Sequence, residues 1–165
     1  MSIIYKSKRI GLKGKEFTLY KFRTMVKGAD KLGGSSTSAD DPRLTKIGKW
    51  LRKYNLDELP QIINIIKREM NPVGPRPEVK EYVDMMTEHE RNVILSVRPG
   101  LSDLATLENM DEGSRLAGSD DPDKTYLEDI RPEKLKLQMA YVETRCFWLD
   151  VKIILKTIWR IFVRK

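Results

Sequence analysis

Residues 55–61 read NLDELPQ, between a strongly basic segment, DPRLTKIGKWLRKY, and a proline-locked one, VGPRP. Pro60 constrains this stretch most. It has no N–H to donate and fits a helix only in the first turn, so a helix containing it has to begin near Asn55. Asn55 followed three places later by Glu58 has the form of a capping box, and Leu56, Leu59, Ile62, Ile63, Ile66 and Met70 recur at helical spacing as an apolar face. Asp57 and Glu58 are therefore expected at a helix N-terminus, where free N–H groups and the positive dipole end favour ionised carboxylates and attract phosphate oxygens. Such a pair is either an ordinary acidic first turn, a ligand set for a divalent metal, or a source of a carboxylate nucleophile for phosphorus.

The neighbours shift that balance toward phosphate chemistry. Arg76 stands between Pro75 and Pro77, which restrict the backbone on both sides and stiffen the point from which its guanidinium projects. A guanidinium held in this way makes a good clamp for phosphate. Ahead of the dyad, Leu44, Ile47, Trp50, Leu51 and Tyr54 share one helical face, while Arg43, Lys46, Lys49, Arg52 and Lys53 crowd the others.

The 165 residues suit one domain with a real core, and 40% hydrophobic with 33% charged residues suits a folded chain. A net charge of +7 points to an anionic partner: nucleic acid, an anionic membrane surface or a phosphorylated small molecule. The single Cys146 excludes an internal disulfide and the single His89 excludes a multi-histidine metal site, so both read as structural or surface positions. No P-loop, GxGxxG, HExxH or GxSxG pattern occurs.

Residues 3–10 and 16–25 alternate as two strands around the turn GLKGK, with Phe17, Leu19, Lys21, Arg23 and Met25 on one face of the second. A Gly- and Ser-rich loop follows at about 28–41. Further on, 77–97 reads as a helix or two, and ENMDEGSRLAGSDDPDKTYLEDIRPEK as acidic, turn-rich surface. The C-terminal segment, a helix at about 147–163, carries a basic stripe of Lys152, Lys156, Arg160 and Arg164 beside a wide apolar arc of Trp148, Leu149, Ile153, Leu155, Ile158, Trp159 and Phe162. It suits either a helix in a membrane interface or a core helix with a solvated basic edge. The N-terminal MSIIYKSKRIG is neither a signal peptide nor a spanning helix. The architecture expected is α+β: a small N-terminal hairpin packed on several helices in a single domain over 1–165, with amphipathic helices at a membrane surface.

The ordered combination of YKFRTM, DPRLTKIGKWLRKYNLDELPQIINIIKREMNPVGPRPEV, RPGLSDLA and FWLDVKIILKTI resembles the bacterial sugar transferase family, the monotopic polyprenyl-phosphate phosphoglycosyltransferases. The resemblance runs from SKRIG almost to the C-terminus. It implies transfer of a phosphosugar from a UDP-sugar to undecaprenyl phosphate, release of UMP, Mg2+ as cofactor, and a covalent intermediate on the aspartate of an Asp-Glu dyad, at the cytoplasmic face of the bacterial inner membrane. By match, Asp57 is the nucleophile and Glu58 its partner, both as metal ligands. Lys21, Arg23, Arg52, Arg76 and Arg98 are the candidate phosphate holders, with Arg52 and Arg76 foremost.

Three departures accompany the likeness. Members usually carry an apolar re-entrant membrane helix ahead of SKRIG, and this sequence has none, which reads as a shortened chain or a member that binds membranes through surface helices. LSDLATLENMDEG stands where many relatives have ITGWAQVNGRN, so an arginine expected near Met110 is absent. Asn55 replaces the Ser or Thr common before LDELP. Two other readings remain beside the enzyme: a catalytically weak relative that docks on membranes, and a basic nucleic-acid-binding module. The second leaves the dyad and the PRP loop unexplained, so no nucleic-acid partner is expected.

Overall fold

The computed structural model describes residues 2–29, 32, 37–108 and 112–163. Its class is α+β, as the sequence leads one to expect. Strands β1 (Ile4–Ile10) and β2 (Glu16–Phe22) pair antiparallel, with Ile4 opposite Phe22 and Ile10 opposite Glu16. The period of two puts Tyr5, Ser7 and Arg9 on the same face as Phe17, Leu19 and Lys21. Phe17 and Leu19 pack from that face onto Met70 and Ile65, so the hairpin lies over the chain on either side of the dyad.

Helix α1 (Lys46–Lys53) is capped by the Thr45 hydroxyl, which accepts from Gly48 N at 2.9 Å. Gly48 is required here, because a Cβ would stand 1.9 Å from the Thr24 carbonyl oxygen. A tight 3-10 segment, Leu56–Gln61, and the short α2 (Ile62–Ile66) follow. The expected capping box is absent. Asn55 adopts a left-handed conformation, φ 55°, its side chain caps nothing, and the chain turns before the 3-10 segment instead of running into one continuous helix.

β3 (Asn71–Val73) pairs in parallel with β4 (Gly100–Ser102). The two backbones touch at Gly74 and Gly100, where a Cβ on Gly100 would come within 2.0 Å of Gly74 N. Between these strands lie α3 (Lys80–Asp84) and α4 (Glu88–Ile94). After β4 come α5 (Leu104–Glu108), α6 (Glu112–Leu116), α7 (Pro122–Thr125), a π-helical turn at Tyr126–Ile130, α8 (Arg131–Thr144) and α9 (Phe147–Val163). Ile10, Val83, Met86, Ile94 and Leu135 form one core cluster, and Val73, Tyr141 and Ile153 another. The acidic stretch read as surface contributes Leu116, Tyr126 and Ile130 to a third, because its apolar residues converge once the short helices fold back on one another.

Three apolar faces point at least partly outward. Ile47 (72%) and Trp50 (56%) of α1 are exposed, as are Leu59, Ile62, Ile63 and Ile66 (75%) of the following segment, while Asp57, Gln61 and Asn64 of that segment are buried. On α9, Ile153 is buried, yet Phe147, Trp148, Leu155, Ile158 and Trp159 are exposed beside exposed Lys152 and Lys156. No described helix is long and apolar enough to cross a membrane. The side chains of Arg160, Phe162 and Arg164, most of the loop at 30–36, and Met110 lie outside the described residues.

Candidate active site

Asn64 is the staple that sets the dyad under the hairpin. Fully buried on α2, it donates through Nδ2 to Thr18 O and to Glu69 Oε2, both at 2.7 Å, and accepts from Tyr20 N at 3.2 Å. These bonds tie α2 to β2, and Lys21 at the end of β2 then reaches the 3-10 segment. Its Nζ donates to Glu58 Oε1 at 2.8 Å.

Glu58 is gripped from the other side by Arg76, whose Nη1 donates to Oε2 at 3.2 Å and whose Nη2 donates to Oε1. The rigidity expected of the PRP loop has a tertiary source as well as a local one. Arg76 N donates to the carboxylate of Asp103 at 3.0 Å, a residue with no exposed surface, and Gly100 N donates to Pro75 O at 2.9 Å. The β3–β4 contact thus aims the guanidinium. Burial alone would raise the Glu58 pKa, but Arg76 and Lys21 hold it well below the usual carboxylate range.

Asp57 differs from its neighbour. It is 6% exposed and accepts no hydrogen bond from any described residue. Burial raises its pKa; Lys21 opposes this, Glu58 adds to it, and Arg52 and Arg76 lower it. In place of an exposed helix start that favours the ionised form, Asp57 has a buried position whose upward push on its pKa Lys21, Arg52 and Arg76 only partly offset. Arg52 anchors its Nε to Thr24 Oγ1 at 3.1 Å, and its pKa is depressed by burial against the attraction of Asp57, Asp41 and Glu58.

The structure therefore brings together Lys21, Arg52, Asp57, Glu58 and Arg76. Arg23 turns away, donating Nε to Ser2 O at 3.1 Å with its guanidinium over the Tyr5 ring, and Arg98 is exposed on the approach to β4. Sequence reasoning missed the supporting residues Thr24, Asn64 and Asp103, whose roles depend on partners far along the chain; only the polar residues inside apolar-rich stretches hinted at Asn64 and Asp103.

A divalent cation fits the donor set. Asp57 has oxygens without donors and Glu58 Oε2 accepts only one hydrogen bond, so the pair can offer lone pairs to one ion, with phosphate oxygens and water completing its shell. Among the described residues no group of three or more His, Cys, Asp or Glu side chains gathers to hold a metal without such help.

The structure is a small α+β domain that sets a carboxylate pair among lysine and arginine side chains, groups whose charge and donors suit phosphate oxygens. The chain belongs to the bacterial sugar transferase family, whose model matches residues 1–164. It is 35% identical over 161 residues to an uncharacterized sugar transferase of Bacillus subtilis, EpsL, covering 98% of this chain and 70% of that protein. It is 32% identical over 163 residues to a UDP-N-acetylgalactosamine-undecaprenyl-phosphate N-acetylgalactosaminephosphotransferase of Aeromonas hydrophila, covering 94% of this chain and 34% of the relative. A UDP-glucose:undecaprenyl-phosphate glucose-1-phosphate transferase of Escherichia coli is 33% identical over 166 residues, with 99% and 33% coverage. The chain thus spans about a third of the length of these two named transferases.

Proposed function

We propose that the protein moves a phosphosugar from a UDP-sugar to a polyprenyl phosphate through a covalent intermediate on Asp57. The observation that carries this reading is the asymmetry of the dyad: Glu58 is locked by Lys21 and Arg76, while the adjoining Asp57 carboxylate is buried and uncommitted. A carboxylate without hydrogen-bond donors keeps its lone pairs for attack. The names of the Aeromonas and Escherichia relatives support the substrate classes.

In the first half-reaction an Asp57 Oδ forms a bond to the sugar-bearing phosphorus as the bond from that phosphorus to the diphosphate bridge oxygen breaks. UMP leaves with the electron pair. In the second, a phosphate oxygen of the polyprenyl acceptor attacks the same phosphorus and returns Asp57 as a free carboxylate. Arg52 and the Glu58-bound pair of Lys21 and Arg76 stabilise charge on the transferring group. Mg2+, held by Asp57 and Glu58, would supply further neutralisation of phosphate charge.

The acceptor is lipid, and the exposed Ile47, Trp50, Ile62, Ile63 and Ile66 beside the site, with Lys46, Lys49 and Lys53, suit contact with an anionic membrane surface, as do Trp148, Trp159 and Lys156 on α9. The membrane concerned is the cytoplasmic leaflet, where nucleotide sugars are available. The test is UMP release from a panel of UDP-sugars with Mg2+ and undecaprenyl phosphate. Asp57→Asn is expected to reduce it by about a thousandfold or more, and a phosphosugar adduct should appear on Asp57 by mass spectrometry when the acceptor is withheld. UMP release that survives Asp57→Asn overturns the assigned nucleophile.

A further inference from the structure

Phosphate transfer calls for cations that are not already committed, and two of those nearest the dyad are. Lys21 and Arg76 both direct hydrogen bonds to Glu58. A further guanidinium lies close by. Arg9 sits opposite Phe17 in the hairpin, on the same face as Leu19 and Lys21, the face that covers the 3-10 segment. Its Nε is buried and makes no hydrogen bond, and the residue as a whole is half-buried. Burial lowers its pKa, and Arg76 is near enough to lower it further, against weaker attraction from Tyr5, Glu78 and Tyr126. Glu78 is itself engaged by Arg131 of α8, Nε to Oε2 at 3.7 Å.

Lys21, Arg52 and Arg76 thus face the two carboxylates of the dyad, and Arg9 stands next to Arg76. Two guanidinium groups that repel each other in a poorly solvated place are stabilised when an anion joins them, and a buried donor without an acceptor is satisfied in the same way. A guanidinium presents a planar fork that matches two phosphate oxygens. We propose that Arg9 is a phosphate-binding residue of this site, its guanidinium taking non-bridging oxygens of a substrate phosphate beside Arg76. This rests on the phosphosugar-transfer reading. The phosphate belongs either to the diphosphate of the nucleotide sugar or to the monophosphate of the prenyl acceptor.

Calorimetric titration of the full chain with inorganic pyrophosphate, UDP and detergent-solubilised farnesyl phosphate tests it in wild type, Arg9→Lys and Arg9→Met, with melting temperatures measured alongside. The expected result is at least tenfold weaker binding in both variants at melting temperatures within a few degrees of wild type. Loss confined to pyrophosphate and UDP assigns the donor, and loss confined to farnesyl phosphate assigns the acceptor. Wild-type affinity for all three probes in folded Arg9→Lys overturns the proposal. So does a wild type that binds none of them, or failure of both variants to fold, which makes Arg9 a structural residue. Binding is read without turnover: Arg9-dependent affinity in a protein that releases no UMP sinks the transfer reading alone, whereas unchanged affinities with normal UMP release sink Arg9 alone.

Discussion

Thr87–Glu90 and Asn55–Glu58 carry the same arrangement, a capping residue three places ahead of a glutamate. At Thr87 the arrangement closes on itself: the Thr87 hydroxyl accepts from Glu90 N at 3.2 Å, Glu90 Oε2 accepts from Thr87 N at 2.8 Å, and α4 runs on with Ile94 in the core. At Asn55 it opens. The backbone goes left-handed, and Glu58 reaches out to Lys21 and Arg76 instead of back to Asn55. A cap is worth ~1 kcal/mol, whereas removing one partner from a buried, hydrogen-bonded charge group costs ~3–5 kcal/mol. Where two cations from distant strands and loops are within reach, the glutamate leaves its local partner. The same pattern of residues thus ends a structural helix start in one place and builds a site in the other.

The contrast is sharpest in matched substitutions. Glu58→Gln leaves Lys21 and Arg76 without their shared anion and is expected to destabilise the protein by ~3–5 kcal/mol, with UMP release falling by about a hundredfold; Glu90→Gln is expected to cost under ~1 kcal/mol. Equal losses in urea unfolding would break the distinction. Asn64→Ala removes two hydrogen bonds between α2 and the hairpin and one to Glu69, and is expected to cost ~2–3 kcal/mol, with a parallel loss of activity because Lys21 loses its register over Glu58.

Acid titration separates the dyad's own members. Glu58 has a depressed pKa in the folded state, so the stability it contributes is present above the unfolded Glu value of ~4.3 and is lost as pH falls from there toward the folded value. Asp57 has a raised pKa, so its contribution has the opposite sign: it favours the fold at low pH and is lost as pH rises through the unfolded Asp value of ~3.9 and beyond. Because attack needs the ionised form, the acidic limb of the rate profile should lie above that Asp value. Acid unfolding of Glu58→Gln should be flatter than that of wild type, and an acidic limb at the ordinary Asp value would contradict the burial of Asp57. The smallest effect on stability is expected at Ile66→Ser, within ~0.5 kcal/mol because the side chain is exposed; the same change should weaken binding to anionic vesicles, and unchanged vesicle binding would remove this face from the membrane contact.

Much of the fold was legible where a residue's surroundings are set by its own neighbours in sequence. The hairpin followed from alternation around GLKGK, the C-terminal helix appears at Phe147–Val163 as its apolar and basic spacing implied, and two helices occupy the stretch before RPG. The dyad and the three cations gathered round it, Lys21, Arg52 and Arg76, were also legible. Arg9 was not, because the charged groups nearest it, Arg76 and Glu78, lie on a loop remote in sequence. The orientation of residues 56–66 was not legible: spacing shows that Leu59, Ile62, Ile63 and Ile66 share a side, but periodicity is silent on whether that side meets a core or the outside.

By itself, then, the sequence determined the local elements, the acidic pair and the supply of cations, since these depend on propensities and spacing within a few residues. Only the tertiary structure decided which carboxylate is committed and which is free, where Asp103 and Asn64 hold the PRP loop and the hairpin, and which apolar faces are left uncovered. The physical reason is that hydrogen bonding and burial of Glu58 and Asp57 are set by groups remote in sequence, Arg76 18 residues and Lys21 37 residues from Glu58, whose approach depends on contacts such as Gly74 against Gly100 and Gly48 against Thr24.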